Sequence, residues 1–224
     1  MPNMTNRSLG PRGHNGMLFI GDLSRADAEL LEKCAHGAKT ILEFGVGGST
    51  QIVAQAMPAD AEFFSIETND VWIGNTENAL SALGLDPGRV RFLPFRDVFP
   101  QGHIEHADLL TRKFDFVFVD GELNLRDHFL GNTFDLLRVG GLALIHDTRR
   151  YDDVRYVLNF CIQRWQEISR ITLNAQHSNI TVIEKKSAEP YENWNEVEGK
   201  ETWESGYAPP PPDWVEQLKR KSIR

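Results

Sequence analysis

The chain has 224 residues, enough for one sizeable domain with its own hydrophobic core. Its formal net charge of −8 argues against nucleic acid as a partner, because a phosphate backbone repels an acidic surface. No run approaches the ~20 apolar residues of a membrane span, and residues 1–7 lack the apolar core of a signal peptide. The two cysteines, Cys34 and Cys161, show no C-x-x-C spacing, which indicates free thiols in a reducing compartment. We therefore expect a cytoplasmic protein without a membrane partner.

Composition divides the chain into three segments. Residues 1–24 open with polar sequence rich in Gly, Pro and Asn and are predicted to be a flexible segment or lid. Residues 25–186 alternate between strand and helix patterns and should form the folded domain. Residues 187–224 are an acidic tail with tryptophans and a proline run at 209–212. Two interpretations of this tail stay open: it wraps its own domain, or it contacts a partner such as a second copy of the chain.

In chain order, a cap at Ser24 predicts a first helix that ends near His36. Five apolar strand patterns follow, at 40–44, 61–67, 90–93, 114–120 and 142–145. Further helices are predicted at 50–57, 70–83, 125–138 and 152–166, and Gly140-Gly141 is interpreted as a break before strand five. The final strands, 171–173 and 180–183, are joined by only about six residues, too few for a helical crossover, so they should be antiparallel neighbours.

Strands that alternate with helices indicate parallel βαβ units. The fold class is therefore α/β: a seven-stranded, Rossmann-like, doubly wound sheet that is mostly parallel and ends in an antiparallel hairpin.

The first strand ends in an acid and opens into a glycine-rich turn. Glu43 is followed by Gly45 and Gly47, and Ser49-Thr50 begins the next helix. A dinucleotide fingerprint would need a third glycine where Thr50 stands, and Glu43 would repel a pyrophosphate. An acid at that position suits a ligand with a positive amino group. An ordinary strand–turn–helix with a packing glycine remains the alternative for this segment alone.

An acid also stands at or just after the end of each of the first five strands. In open α/β sheets ligands bind beyond the carboxyl ends of the strands. Like charges clustered there repel one another unless a cationic or hydrogen-bonding ligand satisfies them. The five acids are Glu43, Glu67, Asp97, Asp120 and Asp147.

The E-x-G-x-G turn, the F-V-D-G at 118–121 and the segment 137–148 resemble the small-molecule O-methyltransferase branch of class I S-adenosylmethionine (SAM) methyltransferases, over residues 38–184. The resemblance implies SAM as cofactor and methyl transfer to an oxygen, in preference to a nitrogen, of a small molecule. Glu67 would accept the ribose hydroxyls, Asp97 the adenine amino group, and Trp72 or Phe95 would stack on the ring. The implied cofactor-binding residues are Glu43, Gly45, Gly47, Ser49, Thr50, Glu67, Thr68, Trp72, Asp97 and Asp120.

In the catechol-type members, an Asp after strand four and an Asp-Asn pair after strand five hold a magnesium ion. Asp120 and Asp147 match the two acids, but Thr148 replaces the Asn. Two carboxylates and a hydroxyl could still complete a Mg²⁺ shell with waters. We leave the metal undecided and favour a metal-free site.

These families also carry a basic residue shortly after the strand-four Asp, where this chain has Glu122-Leu123. We assign Asp120, His146 and Asp147 as catalytic. His146 is the preferred general base, because a histidine at a polar rim can titrate near neutral pH. His128 and His14 are the alternatives for that role.

Two functions from other classes remain open. The missing base and Asn leave room for an inactive SAM- or nucleotide-binding module that acts through its tail. An NAD-binding oxidoreductase is the other alternative, although Glu43, Thr50 and the terminal hairpin oppose it.

Overall fold

The computed structural model describes residues 23–121 and 125–186. The predicted lid, the Glu122-Leu123 pair, His14 and the tail therefore lie largely or wholly outside the described residues, and what was predicted of them stays a prediction. The described helices are α1 Arg25–Ala35, α2 Gly48–Ala56, α3 Asp70–Ala82, α4 Phe95–Val98, α5 Ala107–Leu110, α6 Arg126–Thr133 and α7 Tyr151–Gln163. The strands are β1 Thr40–Phe44, β2 Glu62–Glu67, β3 Val90–Pro94, β4 Phe114–Val119, β5 Leu137–Ile145, β6 Ile168–Thr172 and β7 Thr181–Lys185.

The seven strands form one sheet in the order β3-β2-β1-β4-β5-β7-β6. Strands β1 to β5 pair in parallel, whereas β7 runs antiparallel to both β5 and β6. This confirms the predicted fold class, including the antiparallel C-terminal hairpin. The chain reverses its winding direction at β1, which pairs with β2 on one side and β4 on the other.

Helices cover both faces of the sheet, and each face has its own apolar core. On one face Leu42 and Val117 pack with residues of α6 and α7. On the other face Ile41 and Phe116 pack with residues of α1, α2 and α3. Neighbouring residues of a strand point to opposite faces, so a strand buried on both sides reads as the continuous apolar run seen in the sequence.

The start of α1 confirms the predicted cap. Ser24 Oγ accepts a hydrogen bond from the Asp27 amide at 3.2 Å, and the Asp27 carboxylate accepts one from the Ser24 amide at 2.8 Å. This capping box satisfies two amides that the helix itself leaves unpaired. It also fixes Asp27 in the interior beside the carboxyl end of the sheet.

The region around β5 corrects the sequence prediction. The helix predicted to reach residue 138 ends at Thr133, and β5 begins at Leu137, so Gly140-Gly141 lies inside the strand. The β4–β5 register shifts at this point. Gly140 has φ +74°, and a Cβ on Gly141 would lie 2.8 Å from the Arg138 carbonyl oxygen. The glycines therefore accommodate a bulge in the strand and do not end a helix.

Other boundaries differ by a few residues. β6 begins at Ile168 because α7 ends at Gln163 and is followed by a single 3-10 turn. The one-turn helices α4 and α5 were not predicted, since four residues give too short a periodic pattern. Cys34 and Cys161 are both free, as expected. No helix in the described ranges has the length and apolarity needed to cross a membrane.

Candidate functional site

A cleft of about 370 Å³ opens at the carboxyl ends of β1, β2 and β4. It lies where the winding direction reverses, the usual ligand position in open α/β sheets, and its volume is within the range of small-molecule sites. It brings together seven of the predicted cofactor residues with five that the sequence did not indicate. The lining residues are Leu23, Gly45, Val46, Gly47, Gly48, Ser49, Glu67, Thr68, Asn69, Trp72, Asp120 and Gly121.

The glycine turn forms one wall of this cleft. A Cβ on Gly45 would lie 2.4 Å from the Gly121 amide nitrogen, so only glycine lets the loops after β1 and β4 meet. Gly47 has φ +156°, which L residues rarely adopt, and a Cβ built there would meet no atom within 4 Å. Open space therefore lies beside the Gly47 backbone, as close approach of a ligand requires.

Glu43 supports the turn from below and does not line the cleft. Only 1% of the residue is exposed. Its Oε2 accepts hydrogen bonds from Thr50 Oγ1 at 2.7 Å and from Ser65 Oγ at 2.6 Å, and Thr50 Oγ1 in turn accepts one from the Gly47 amide at 2.9 Å. The acid is thus linked through Thr50 to the glycine whose conformation opens the cleft.

Burial raises the pKa of Glu43 to about 7, although the hydroxyls of Ser49, Ser65 and Thr50 oppose the rise. Among the described residues, Glu43 Oε1 has no partner with hydrogen-bond geometry. The expectation that Glu43 meets a ligand amino group directly is not supported by this position. Its geometry makes it a residue that holds the turn.

Glu67 stands at the opposite wall, at the end of β2. Its Oε2 accepts a hydrogen bond from the Val46 amide at 3.0 Å, while Oε1 accepts from the amides of Thr68 at 2.7 Å and Asn69 at 2.9 Å. The carboxylate therefore joins the turn after β1 to the turn after β2. Its remaining lone pairs are available to hydroxyl donors in the cleft.

The two residues predicted to stack on the adenine ring, Trp72 and Phe95, differ in their position relative to the cleft. Trp72, on the first turn of α3, lines the cleft and is 46% exposed. Phe95 is packed against Phe99, with ring centroids 4.9 Å apart. Asp97 lies outside the cleft, because α4 begins directly after β3 and carries it toward solvent, 3.8 Å from Arg96. The predicted role of Asp97 on a bound adenine finds no support in this placement.

The three predicted catalytic residues lie together, but only one reaches the cleft. Asp120 lines it, with 24% of its side chain exposed, whereas His146 and Asp147 are buried at 2% and 6% exposure. His146 Nδ1 is 3.3 Å from Asp120 Oδ2, and His146 Nε2 is 3.6 Å from Asp27 Oδ2. The imidazole is thus held between a carboxylate at the cleft and a carboxylate in the interior.

This environment changes the protonation expected of His146. Burial acts to lower its pKa, but contact with Asp120 and Asp27 outweighs burial and raises the pKa to about 10. Burial raises the pKa of Asp27, but the contact with His146 and the bonds from Ser24 and Asn179 lower it to about 2. At neutral pH the pair is therefore an imidazolium beside a carboxylate. The expectation that His146 titrates near neutral pH needs correction, and so does its role as a free base.

Arg126, at the first position of α6, is the site residue that sequence reasoning missed. It is 3% exposed, and its guanidinium bridges two predicted catalytic acids. Nη2 lies 2.8 Å from Asp120 Oδ1, and Nη1 lies 3.1 Å from Asp147 Oδ2 and 3.5 Å from Asp153 Oδ1. Burial acts to lower the pKa of Arg126, but the three aspartates raise it further above its ordinary value. The only sequence signal was a basic residue six positions after Asp120.

Asp147 is held from several directions. Its Oδ1 accepts a hydrogen bond from Asn179 Nδ2 at 2.9 Å, and its Oδ2 is 2.6 Å from Arg150 Nη1 as well as near Arg126. Its φ of +62° is in the left-handed region, where Asp and Asn are tolerated better than most residues. Asp147 therefore acts in this arrangement as a junction between elements.

Asp120, His146 and Asp147 offer ligand atoms within 4.8 Å of one another, which suggests a metal site at first sight. The donor set does not suit Mg²⁺, which needs oxygen ligands that converge on open space. A guanidinium already bridges the two carboxylates and occupies the space between them. Thr148 Oγ1 accepts a hydrogen bond from Thr181 Oγ1 at 2.8 Å, so its hydroxyl faces β7. These residues do not fit a divalent ion.

The alternative base His128 lies on α6, where its ring is 5.6 Å from that of Phe99 and within 3.4 Å of Asn132. It does not line the cleft.

Several solved structures are similar to this chain in fold. No protein-family model matches the chain, and no curated protein matches it. Among solved structures, the O-methyltransferase TomG from Streptomyces achromogenes, in complex with SAM, is 21% identical, covers 74% of this chain and 83% of its own, and has a TM-score of 0.57.

Two further solved structures are similar to this chain over a comparable length. The O-methyltransferase from Bacillus cereus in complex with S-adenosylhomocysteine (SAH) is 18% identical over 73% of this chain and 83% of its own, with a TM-score of 0.55. A putative caffeoyl-CoA O-methyltransferase from Staphylococcus aureus is 17% identical over 74% of this chain and 86% of its own, with a TM-score of 0.56. The chain therefore has the fold of the class I SAM-dependent O-methyltransferases.

Proposed function

We propose that this protein is a SAM-dependent methyltransferase that transfers a methyl group to an oxygen of a small molecule. The observation that carries the proposal is the cleft at the reversal of the sheet, where the open Gly47 backbone faces the anchored carboxylate of Glu67. The fold it shares with structures of SAM- and SAH-bound O-methyltransferases supports the same function.

The cleft residues suit the parts of SAM in different ways. Glu67 would accept hydrogen bonds from the ribose hydroxyls, since its carboxylate is already fixed by three backbone amides. The exposed face of Trp72 would stack on the adenine. The glycine turn would lie against the methionine part, where Ser49 adds a hydroxyl. Acids around the cleft would attract the positive sulfonium and amino groups.

SAM, when bound, supplies an electrophilic methyl group: the acceptor oxygen bonds to the methyl carbon, the carbon–sulfur bond breaks with its electron pair on sulfur, and SAH remains. The protein has to align the acceptor and remove its hydroxyl proton. Asp120 is the one of the three predicted catalytic residues that lines the cleft, so it would accept that proton. His146 and Arg126 would hold the Asp120 carboxylate in place from beneath.

The proposal also covers the location of the enzyme, its partners and the roles of the three segments of the chain. We infer a cytoplasmic enzyme with a small-molecule acceptor and no nucleic-acid partner, on the basis of its acidic charge and its two free thiols. Residues 1–24 would act as a lid over the acceptor, and 25–186 as the SAM-binding domain. The tail at 187–224 would contact the domain itself or a second copy of the chain.

A thermal-shift panel of SAM, SAH, NAD and NADP tests the cofactor. We expect SAM and SAH to raise the melting temperature, because a ligand that binds only the folded state stabilises it. Glu67→Gln should weaken SAM binding at least tenfold in calorimetry. Glu62→Gln is the matched control at the other end of β2, where Glu62 pairs with Arg112, and it should bind SAM normally.

Stabilisation by NAD or NADP but not by SAM would refute the methyltransferase in favour of the oxidoreductase. If SAM binds, transfer of a labelled methyl group to pooled phenols, sugars and hydroxy acids separates an enzyme from an inactive SAM-binding module.

A further inference from the structure

The two acids that follow β4 and β5 already share a cation, and that cation belongs to the protein. Arg126 Nη2 contacts Asp120 Oδ1 at 2.8 Å, and Nη1 contacts Asp147 Oδ2 at 3.1 Å. A guanidinium presents its donors in a fixed planar fork, so it can hold two carboxylates in a defined relative position.

Further contacts fix the guanidinium itself. Nη2 also lies 3.3 Å from the Gly121 carbonyl oxygen, Nη1 lies 3.5 Å from the His146 carbonyl oxygen, and Asp153 of α7 approaches to 3.5 Å. The group therefore connects the ends of β4 and β5 to α6 and α7. Because Arg126 is 3% exposed and does not line the cleft, it would act on a reaction through Asp120 and not by touching the acceptor.

We propose that Arg126 is the resident cation of this site, holding Asp120 and Asp147 together where catechol-type enzymes use a magnesium ion, so that the protein works without a metal. Arg126 is then a positioning residue for Asp120.

The role in methyl transfer rests on the function proposed above, whereas the exclusion of a metal does not. A diol acceptor would gain no chelation at such a site, and a single hydroxyl that reaches Asp120 would be sufficient. The acceptor therefore needs one reactive hydroxyl and no neighbouring second one.

Binding of Mn²⁺ to the full-length protein, followed by electron paramagnetic resonance, tests the exclusion without SAM or turnover. We expect the EDTA-treated wild type to bind no Mn²⁺ at concentrations up to 1 mM, and its melting temperature to be the same with and without EDTA. Arg126→Ala should uncover the two carboxylates and bind Mn²⁺ with a dissociation constant at least tenfold below that limit. Arg126→Lys keeps a cation in place and should bind no Mn²⁺. Arg155→Ala, an exposed position on α7, is the matched control and should behave as the wild type.

Rescue distinguishes a resident cation from general damage. Guanidinium at low millimolar concentration should raise the melting temperature of Arg126→Ala but not that of Arg155→Ala. Stoichiometric Mn²⁺ binding by the wild type, lost in Asp120→Asn, would overturn the proposal even if Arg126→Ala failed to fold. A folded Arg126→Ala that gains neither Mn²⁺ binding nor rescue would overturn it as well. SAM calorimetry on the wild type reports separately whether the proposed function has failed.

Discussion

Asp147→Asn gives the sharpest test of how the acidic cluster is held together. The substitution preserves the shape of the side chain, and Asn tolerates the left-handed backbone of φ +62° as well as Asp does. The amide oxygen can still accept the hydrogen bond from Asn179 Nδ2. What the substitution removes is the negative charge between Arg126 and Arg150.

The cost can be worked out from the two closest ion pairs of Asp147, since His146 Nδ1 lies farther away, at 3.8 Å. Removal of one partner of a buried pair typically costs about 3–5 kcal/mol, because the other charge is left uncompensated. Arg126 keeps Asp120 and Asp153, which places the cost at the lower end of that range. Arg150 is half exposed, so its pair adds less than about 1 kcal/mol. We expect a total loss of about 3 kcal/mol in the free energy of unfolding.

Urea denaturation at pH 7 measures this loss, with Asp152→Asn as a control on the exposed face of α7 that should change stability by less than about 0.5 kcal/mol. Asp147 does not line the cleft, so calorimetry should show SAM affinity within twofold of the wild type. A loss below about 1 kcal/mol, accompanied by loss of SAM binding, would refute the reasoning. It would make Asp147 a ligand-contacting residue.

Three further outcomes are expected. Gly47→Val should abolish SAM binding in calorimetry, because it places a branched side chain in the open space beside the turn and in a conformation that only glycine adopts readily; unchanged affinity would place the cofactor elsewhere. The pKa of Glu43 is raised from 4.5 to about 7, so its contribution to stability is complete below pH 4.5 and is lost as the pH rises through 7. Relative to Glu43→Gln, the wild type should therefore lose about 3 kcal/mol of unfolding free energy between pH 4.5 and pH 8 in urea titrations. Parallel pH profiles of the two proteins would contradict this. Truncation after residue 186 should leave SAM affinity within twofold, because the described sheet is complete at Lys185; insoluble expression would instead assign the tail to the core.

The sequence was sufficient to predict the fold because its central strands β1, β2 and β4 are mostly buried on both faces and therefore read as largely apolar runs. The short connection before β7 likewise predicted the antiparallel hairpin. The prediction was wrong around Gly140-Gly141, where two glycines usually indicate a break but here accommodate a bulge inside β5. A bulge depends on the register with a neighbouring strand, which local sequence does not contain.

The candidate site was only partly predictable, and the reason is again non-local. Residues at the strand ends reach the cleft because the carboxyl ends of parallel strands share an edge, which explains the placement of Gly47, Glu67 and Asp120. Asp27 and Asn179 join the cluster from segments 152 residues apart, linked by a 2.6 Å bond from the Asn179 amide to Asp27 Oδ1. No spacing rule in the sequence indicates such a contact, and none identified Arg126 as the partner of both acids.

The identity of residue 148 and the position of Arg126 are consistent with each other on electrostatic grounds. Two unit charges about 4 Å apart near a protein surface interact by about 4 kcal/mol, so a divalent ion at that distance from the guanidinium would meet a repulsion of about 8 kcal/mol. A magnesium site also needs further oxygen donors beside the two carboxylates, and an Asn at 148 would offer one. Thr148 offers only a hydroxyl, and Thr181 already donates a hydrogen bond to it. A guanidinium needs no such donor, because its charge is met by the carboxylates, while Nη1 and Nη2 also donate to the carbonyl oxygens of His146 and Gly121. A hydroxyl in place of an amide oxygen at residue 148 and an internal cation between the acids are therefore two parts of one arrangement.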